Sequence, residues 1–232
     1  KGSYFTAGDV NTFKEDLIEC SKISKYVYGI NVETSGPTAK GLFYAMKAVL
    51  NFINNNNDLE NVHVAISGVG KVGGKLAKLL STANVKITAA SMNSEIIKKL
   101  KNSIKITEVY PEDLFNTKCD IISPCALGKA INEITKKQLK CKAIVGAANN
   151  QLESPAIGEW LNKNNIIYAP DYLVNSGGVI AIASEINKTE NVLEKKLQEI
   201  AERLIHVLEE SKKNNESCDL IAKRIAWERI NS

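Results

Sequence analysis

The sequence predicts an α/β fold built on a doubly wound parallel sheet, and three observations carry that prediction. From Val62 onward, short apolar runs alternate with segments of helical period, the pattern of repeated β–α units. The first run, Val62, Val64 and Ile66, is β-branched and has no helical period, as suits a strand buried on both faces. Directly behind it stands Gly68-Val69-Gly70-Lys71-Val72-Gly73, after which Val72, Leu76, Leu79 and Leu80 recur at helical spacing. Strand, glycine turn and helix thus follow one another without a break.

The other elements follow in order. Residues 9–21 read as a helix with Val10, Phe13, Leu17 and Ile18 on one face, and residues 29–37 as a loop rich in turn formers. A second helix begins near Thr38, carries Leu42, Ala45, Met46, Val49, Leu50 and Ile53, and fades in Asn54-Asn55-Asn56-Asn57. Both lie ahead of the first strand, outside any β–α–β unit, and read as the tail of an upstream domain plus a connecting helix. Residues 85–90 form the second strand, 94–100 a short helix and 104–109 a weaker strand. Two further strands, 120–123 and 142–146, end at Pro124-Cys125-Ala126-Leu127-Gly128 and Ala147-Ala148-Asn149-Asn150. Ser154 is placed to cap a helix that Pro155 opens. Residues 166–168 make the last strand, which ends at Ala169-Pro170-Asp171. Gly177-Gly178 comes next and would let backbone approach a ligand closely. The remainder is helical: Leu193, Leu197, Ile200, Ala201, Leu204 and Leu208 form a stripe that reads as core, and residues 218–230 form a final helix.

Composition narrows the functional classes. Hydrophobic residues make up 44% of the 232 and charged residues 24%, a globular balance that argues against disorder. A net charge of +4, with no basic run among aromatics, implies neither nucleic acid nor a membrane as partner. Five cysteines, Cys20, Cys119, Cys125, Cys141 and Cys218, form no C-x-x-C pair and are odd in number. Neither a disulfide framework nor a metal site is expected, and the expected compartment is a reducing cytoplasm. His63 in the first strand and His206 on a late helix read as structural residues.

The glycine turn is where chemistry enters. Gly68 permits a tight turn, Gly70 a close approach of a pyrophosphate to the backbone, and Gly73 close packing of helix on strand. The free N–H groups of the new helix then face the phosphates. An ordinary structural turn is the alternative, and the strand and helix on either side favour the dinucleotide reading. Ligands of an open parallel sheet bind at the carboxyl ends of its strands, and three successive strands here end in small or polar residues.

Those strand ends closely resemble the amino-acid dehydrogenases of the glutamate, leucine, phenylalanine and valine family, the leucine branch most. The resemblance is carried by Thr6-Ala7-Gly8-Asp9-Val10, Pro37-Thr38-Ala39, Met46-Lys47-Ala48, the glycine turn, and Pro124-Cys125-Ala126-Leu127-Gly128. It continues through Gly146-Ala147-Ala148-Asn149-Asn150-Gln151-Leu152, Tyr168-Ala169-Pro170-Asp171-Tyr172 and Asn175-Ser176-Gly177-Gly178-Val179. It implies a Rossmann-type doubly wound parallel sheet with flanking helices and a remnant of a substrate domain. On that reading residues 1–36 are the remnant, 37–184 the dinucleotide-binding domain with its connecting helix, and 185–232 C-terminal helices.

The activity so implied is reversible oxidative deamination of a branched-chain or other apolar L-amino acid to a 2-oxo acid and ammonia, with NAD or NADP as cofactor. Asp9 matches the family's catalytic aspartate; on its own it would read as a carboxylate at a helix start. The implied cofactor residues are Gly68, Val69, Gly70, Lys71, Val72, Gly73, Ser91, Cys125, Ala126, Leu127, Ala148 and Asn149. Those implied for the substrate are Thr38, Asn150, Val174, Asn175 and Val179. Two departures stand out. The family's glycine-rich segment bearing its catalytic lysine lies upstream of the aspartate, and eight residues precede Asp9 here. NAD-dependent members carry an aspartate after the second strand, where this sequence has Ser91. The expectation is therefore a polypeptide incompetent alone, whether a fragment, a split-gene product or a degraded paralogue. It would work as a homo-oligomer or beside a separately encoded N-terminal part. The alternative is a catalytically inactive dinucleotide-binding or subunit-interaction module.

Overall fold

The structure is a computed structural model that describes residues 4–8, 12–55 and 59–232. Its centre is a six-stranded, wholly parallel sheet: β1 (His63–Ser67), β2 (Lys86–Ala90), β3 (Thr107–Glu108), β4 (Ile121–Pro124), β5 (Ala143–Ile144) and β6 (Ile167–Tyr168). The order across the sheet is β3-β2-β1-β4-β5-β6. Chain direction across the sheet therefore reverses between β1 and β4, the crevice in which doubly wound folds bind ligands. Register pairs Ser67 with both Ala90 and Pro124, so three strand ends align there.

Side-chain alternation on β1 explains why both sheet faces are covered. Val64 and Ile66 point into one core and Ala65 into the other, and Ile121 and Ile122 divide likewise on β4. The larger core is closed by α2 (Ser35–Asn54), α3 (Lys71–Thr82) and α8 (Leu193–Asn214), and the smaller by α5 (Pro155–Lys163). Leu197, Ile200, Leu204 and Leu208 are all buried, so the late amphipathic stripe is core, as expected. The other helices are α1 (Lys14–Ser21), α4 (Ser94–Lys101), α6 (Asp171–Val174), α7 (Gly177–Asn187) and α9 (Cys218–Asn231). Among the described residues, no helix is long and apolar enough to cross a membrane.

Several details differ from the sequence reading. The helix expected over residues 9–21 spans Lys14–Ser21 among the described residues. The strand expected over 104–109 pairs only at Thr107–Glu108, because it is an edge strand with one neighbour to hold it. Ser154 is extended ahead of Pro155, but its side chain makes no capping bond. The short helix α6 was not anticipated.

The largest difference concerns α2. It is no mere connector, since Leu42, Ala45, Met46, Val49 and Leu50 are at most 1% exposed. Lys40 and Tyr44 both bond Glu194 of α8, the lysine at 2.6 Å. The lysine and the tyrosine hydroxyl together hold the Glu194 carboxyl below its usual pKa. Gly177 likewise has an unforeseen partner: a Cβ there would lie 2.3 Å from the Pro37 carbonyl oxygen of α2. Its missing side chain admits a neighbouring helix, and no ligand is needed to account for it.

Candidate functional site

The site is assembled from five strand ends. At the first, Gly68 adopts φ +94° and a Cβ there would sit 2.8 Å from the Ala126 Cβ, so the loop after β4 presses on the turn. A Cβ on Gly73 would come within 2.0 Å of the Gly68 carbonyl oxygen; only glycine lets α3 begin this close to β1. Gly70 is the contrast, because a Cβ there would meet nothing within 4 Å. As N-cap of α3 it has no side chain to bond the first-turn N–H groups, and no acidic residue lies in that turn. Orphan helix donors facing open space are what a pyrophosphate needs, so the residues present fit a dinucleotide.

The start of α3 is pinned from behind. Lys75 of α3 pairs with Glu33 at 2.8 Å, and Glu33 also accepts from the Ser35 and Gly36 N–H groups, at 2.9 and 2.8 Å. Burial opposes ionisation of Glu33, but these donors and the Ser35 hydroxyl outweigh it and lower its pKa to about 2.

Beside the turn, Gly68 N–H donates to Ala90 O at 2.9 Å, which sets Ser91 next to the glycine loop. Ser91 Oγ accepts from Asn93 N–H at 3.1 Å, while Asn93 Oδ1 accepts from Glu95 and Ile96 N–H at 3.0 and 3.2 Å. Asn93 is thus committed to capping α4. On the other side, Cys125 N–H donates to Ser67 O at 2.7 Å. The Cys125 thiol lies 3.4 Å from Ser123 Oγ, and burial pushes its pKa up, which disfavours the thiolate. Leu127 stands out, 76% exposed.

The fourth and fifth strand ends, of β5 and β6, present the asparagines. Ala148 N–H donates to Pro124 O at 3.0 Å, and a Cβ on Gly146 would meet that same oxygen at 2.3 Å, so β4 and β5 leave the sheet in close contact. Asn150 has a left-handed φ of +53°, and both asparagines are exposed. From β6, Asn175 Nδ2 donates to Ala147 O at 3.1 Å and to Asn149 Oδ1 at 2.6 Å. Thr38 is nearly buried, its hydroxyl donating to Thr34 O at 2.9 Å. A Cβ on Gly178 would come 3.1 Å from that hydroxyl oxygen, so Thr38 lies beside the start of α7. There Val179 is 71% exposed, whereas Val174 is fully buried in the core. Asp9 lies outside the described residues. Next to it in sequence, the segment around Thr6 bridges to Val27, and Gly29 N–H donates to Glu185 of α7 at 3.2 Å.

Three supporting residues carried no role in the sequence reading. Asp171, 7% exposed, accepts from the Asn150 N–H and from the Tyr168 hydroxyl, the latter at 2.8 Å. Burial and the Asp171 carboxylate hold the Tyr168 hydroxyl well above its usual pKa, so it remains a donor. Gln151 is fully buried and donates to Gly146 and Ala148 carbonyls, both at 2.9 Å. A carboxylate three residues beyond a strand was the one available signal.

Comparison with known proteins agrees with this geometry. The sequence model of the Glutamate/Leucine/Phenylalanine/Valine dehydrogenase family matches residues 29–110 and 92–231. The chain belongs to this family. A leucine dehydrogenase from Thermoactinomyces intermedius is 36% identical over 99% of the chain, and a phenylalanine dehydrogenase from the same organism 37% over 99%. The chain spans 64% and 65% of their respective lengths. In structure it matches the L-tryptophan dehydrogenase of Nostoc punctiforme with a TM-score of 0.90 at 31% identity, covering 99% of this chain and 68% of that one. Members of this dehydrogenase family are oxidoreductases that use a nicotinamide dinucleotide.

Proposed function

We propose that residues 1–232 supply the cofactor-binding half of an NAD(P)-dependent dehydrogenase that oxidatively deaminates a branched-chain or other apolar L-amino acid to a 2-oxo acid and ammonia. The observation that carries this is the open, uncapped Gly70 turn at the sheet's reversal point, with the exposed Asn149-Asn150 pair held two strands away. A bound nicotinamide would supply hydride-accepting chemistry. The N–H groups opening α3 would hold the pyrophosphate and Ser91 the adenosine ribose. Ala148 and Asn149 would orient the nicotinamide end, while Leu127 and the loop after β4 would wall the crevice. Asn150 and Asn175 present polar groups to the substrate, and exposed Val179 beside Thr38 lines its apolar end. Asp9 exchanges protons with the amine as it leaves. Supporting the apolar substrate class are the leucine and phenylalanine dehydrogenases among the relatives.

Cofactor choice follows from Ser91. An aspartate at the end of β2 would repel a 2′-phosphate and accept from both ribose hydroxyls; serine does neither as well, so the preference is relaxed or tilted to NADP. The polypeptide 1–232 works as a homo-oligomer or beside a separate N-terminal part, and alone does not turn over. Of the lysines nearest Asp9, Lys14 opens α1 and Lys40 lies inside α2, so neither sits in a glycine-rich strand-end loop able to stabilise a developing oxyanion. Removing one such preorganised group costs about 10²–10³ in rate. The test is amino-acid-dependent reduction of NAD and NADP by this polypeptide, with and without the N-terminal part of a relative added in trans. Restored turnover only with the addition is the expected result. Robust leucine-dependent turnover without it, abolished by Asp9→Asn, overturns the dependence. Cofactor binding with no turnover under either condition favours the inactive module.

A further inference from the structure

The two exposed asparagines are gripped from one element. Asp171 opens α6 and takes the Asn150 backbone N–H; Asn175 closes α6 and takes the Asn149 side-chain oxygen. Between them α6 is a single turn, locked by the Asn175 N–H on Asp171 O at 2.9 Å. The outer side of the pair is held too, since Lys129 N–H donates to Asn150 O at 2.7 Å. Asparagine adopts left-handed φ more readily than most residues other than glycine, and Asn150 takes it at +53° with both its N–H and its carbonyl oxygen bonded. The Asp171 carboxylate on the Asn150 N–H helps to fix that conformation. A carboxylate accepting backbone N–H forms one of the stronger hydrogen bonds a protein makes. The Tyr168 hydroxyl on its other oxygen aims it, and Tyr168 is itself only 4% exposed.

We propose that α6 is a two-point clamp in which Asp171 and Asn175 are positioning residues that set the Asn149-Asn150 pair against the nicotinamide end of the crevice. The role of that pair rests on the function proposed above; the clamp itself rests on the hydrogen bonds. Neither clamp residue touches the Gly70 turn, so the two ends of the dinucleotide respond differently when the clamp is cut. ADP engages the turn alone, whereas NAD or NADP also reaches residues 148–149.

The test uses the full chain and its Asp171→Ala, Asp171→Asn and Asn175→Ala variants. Hydrogen exchange is followed across residues 146–151 and, as a control, across α8; affinities for ADP, NAD and NADP are titrated. In Asp171→Ala, exchange at the Asn150 amide should quicken about tenfold or more with α8 unchanged, because a buried acceptor is gone. Dinucleotide affinity should fall about tenfold with ADP affinity unmoved. Asp171→Asn keeps an acceptor for Asn150 and should recover most of both losses. Asn175→Ala should weaken dinucleotide binding less, and it carries the same readouts should Asp171→Ala fail to fold. Unaltered exchange at Asn150, or equal losses for ADP and dinucleotide, overturns the clamp. If the parent chain binds neither ligand, the cofactor reading fails instead, and the clamp is judged on exchange alone.

Discussion

Helices α3 and α4 start at the carboxyl ends of neighbouring strands, yet their first turns are finished in opposite ways. Asn93 folds its side chain onto the Glu95 and Ile96 N–H groups and closes α4 on itself. Gly70 has no side chain to do so, and α3 opens into space. A helix that caps itself gains stability and gives up its anion site; a helix that begins on glycine does the reverse. Two adjacent β–α turns of one sheet thus end differently, one closed by its own side chain and one left open.

The sharpest way to break this contrast is Gly70→Val. The fold has room for the added side chain, but the pyrophosphate then does not. Dinucleotide affinity should drop at least about a hundredfold, about 2.7 kcal/mol, with the melting temperature unchanged; equal affinity in titration would remove the site from α3. Next in size is Ser91→Asp, which restores the carboxylate between the two turns. NAD should gain on NADP by about tenfold or more, about 1.4 kcal/mol, and a ratio that does not move would mean that Ser91 does not face the ribose. NAD bound a hundredfold more tightly than NADP by the parent chain would contradict the preference proposed here.

Asn93→Ala should act only on stability. Loss of an N-cap costs about 0.5–2 kcal/mol, read in a urea titration, and dinucleotide affinity should stay as it was. The smallest effect is the acid dependence of the Glu33–Lys75 pin behind α3. The Glu33 pKa is lowered in the folded chain to about 2. Its stabilisation is therefore complete above the unfolded value near 4.5 and fades as pH falls through about 2. The stability advantage over Glu33→Gln should shrink across that window. The side chain is 59% exposed, so solvent screening keeps the difference small. A difference that is flat with pH would show that the pin is not ionic.

Much of this was legible without coordinates where the signal is local. The run Val62, Val64, Ile66 and the glycines behind it declare a buried strand and a turn, because β-branching and freedom at positive φ act within a few residues. The late stripe on α8 was legible for the same reason: period alone shows a helix's buried face. Asp171 was not. Its motif was visible, but a carboxylate after a strand looks the same whether it faces water or is buried against the Asn150 N–H and the Tyr168 hydroxyl.

The sequence by itself thus determined the order of strands and helices, the glycine turn and the family. These follow from periodicity and from backbone constraints that neighbouring residues impose. Tertiary structure alone decided how deeply α2 is built into the core, that Gly177 admits α2, and that Val174 is buried while Val179 is open. It also decided that α6 grips the asparagine pair. Each of these joins residues distant in the chain, such as Pro37 with Gly177 and Asn149 with Asn175. Such contacts exist only once the sheet has brought its strand ends side by side, and no pattern along the chain encodes which of them will meet.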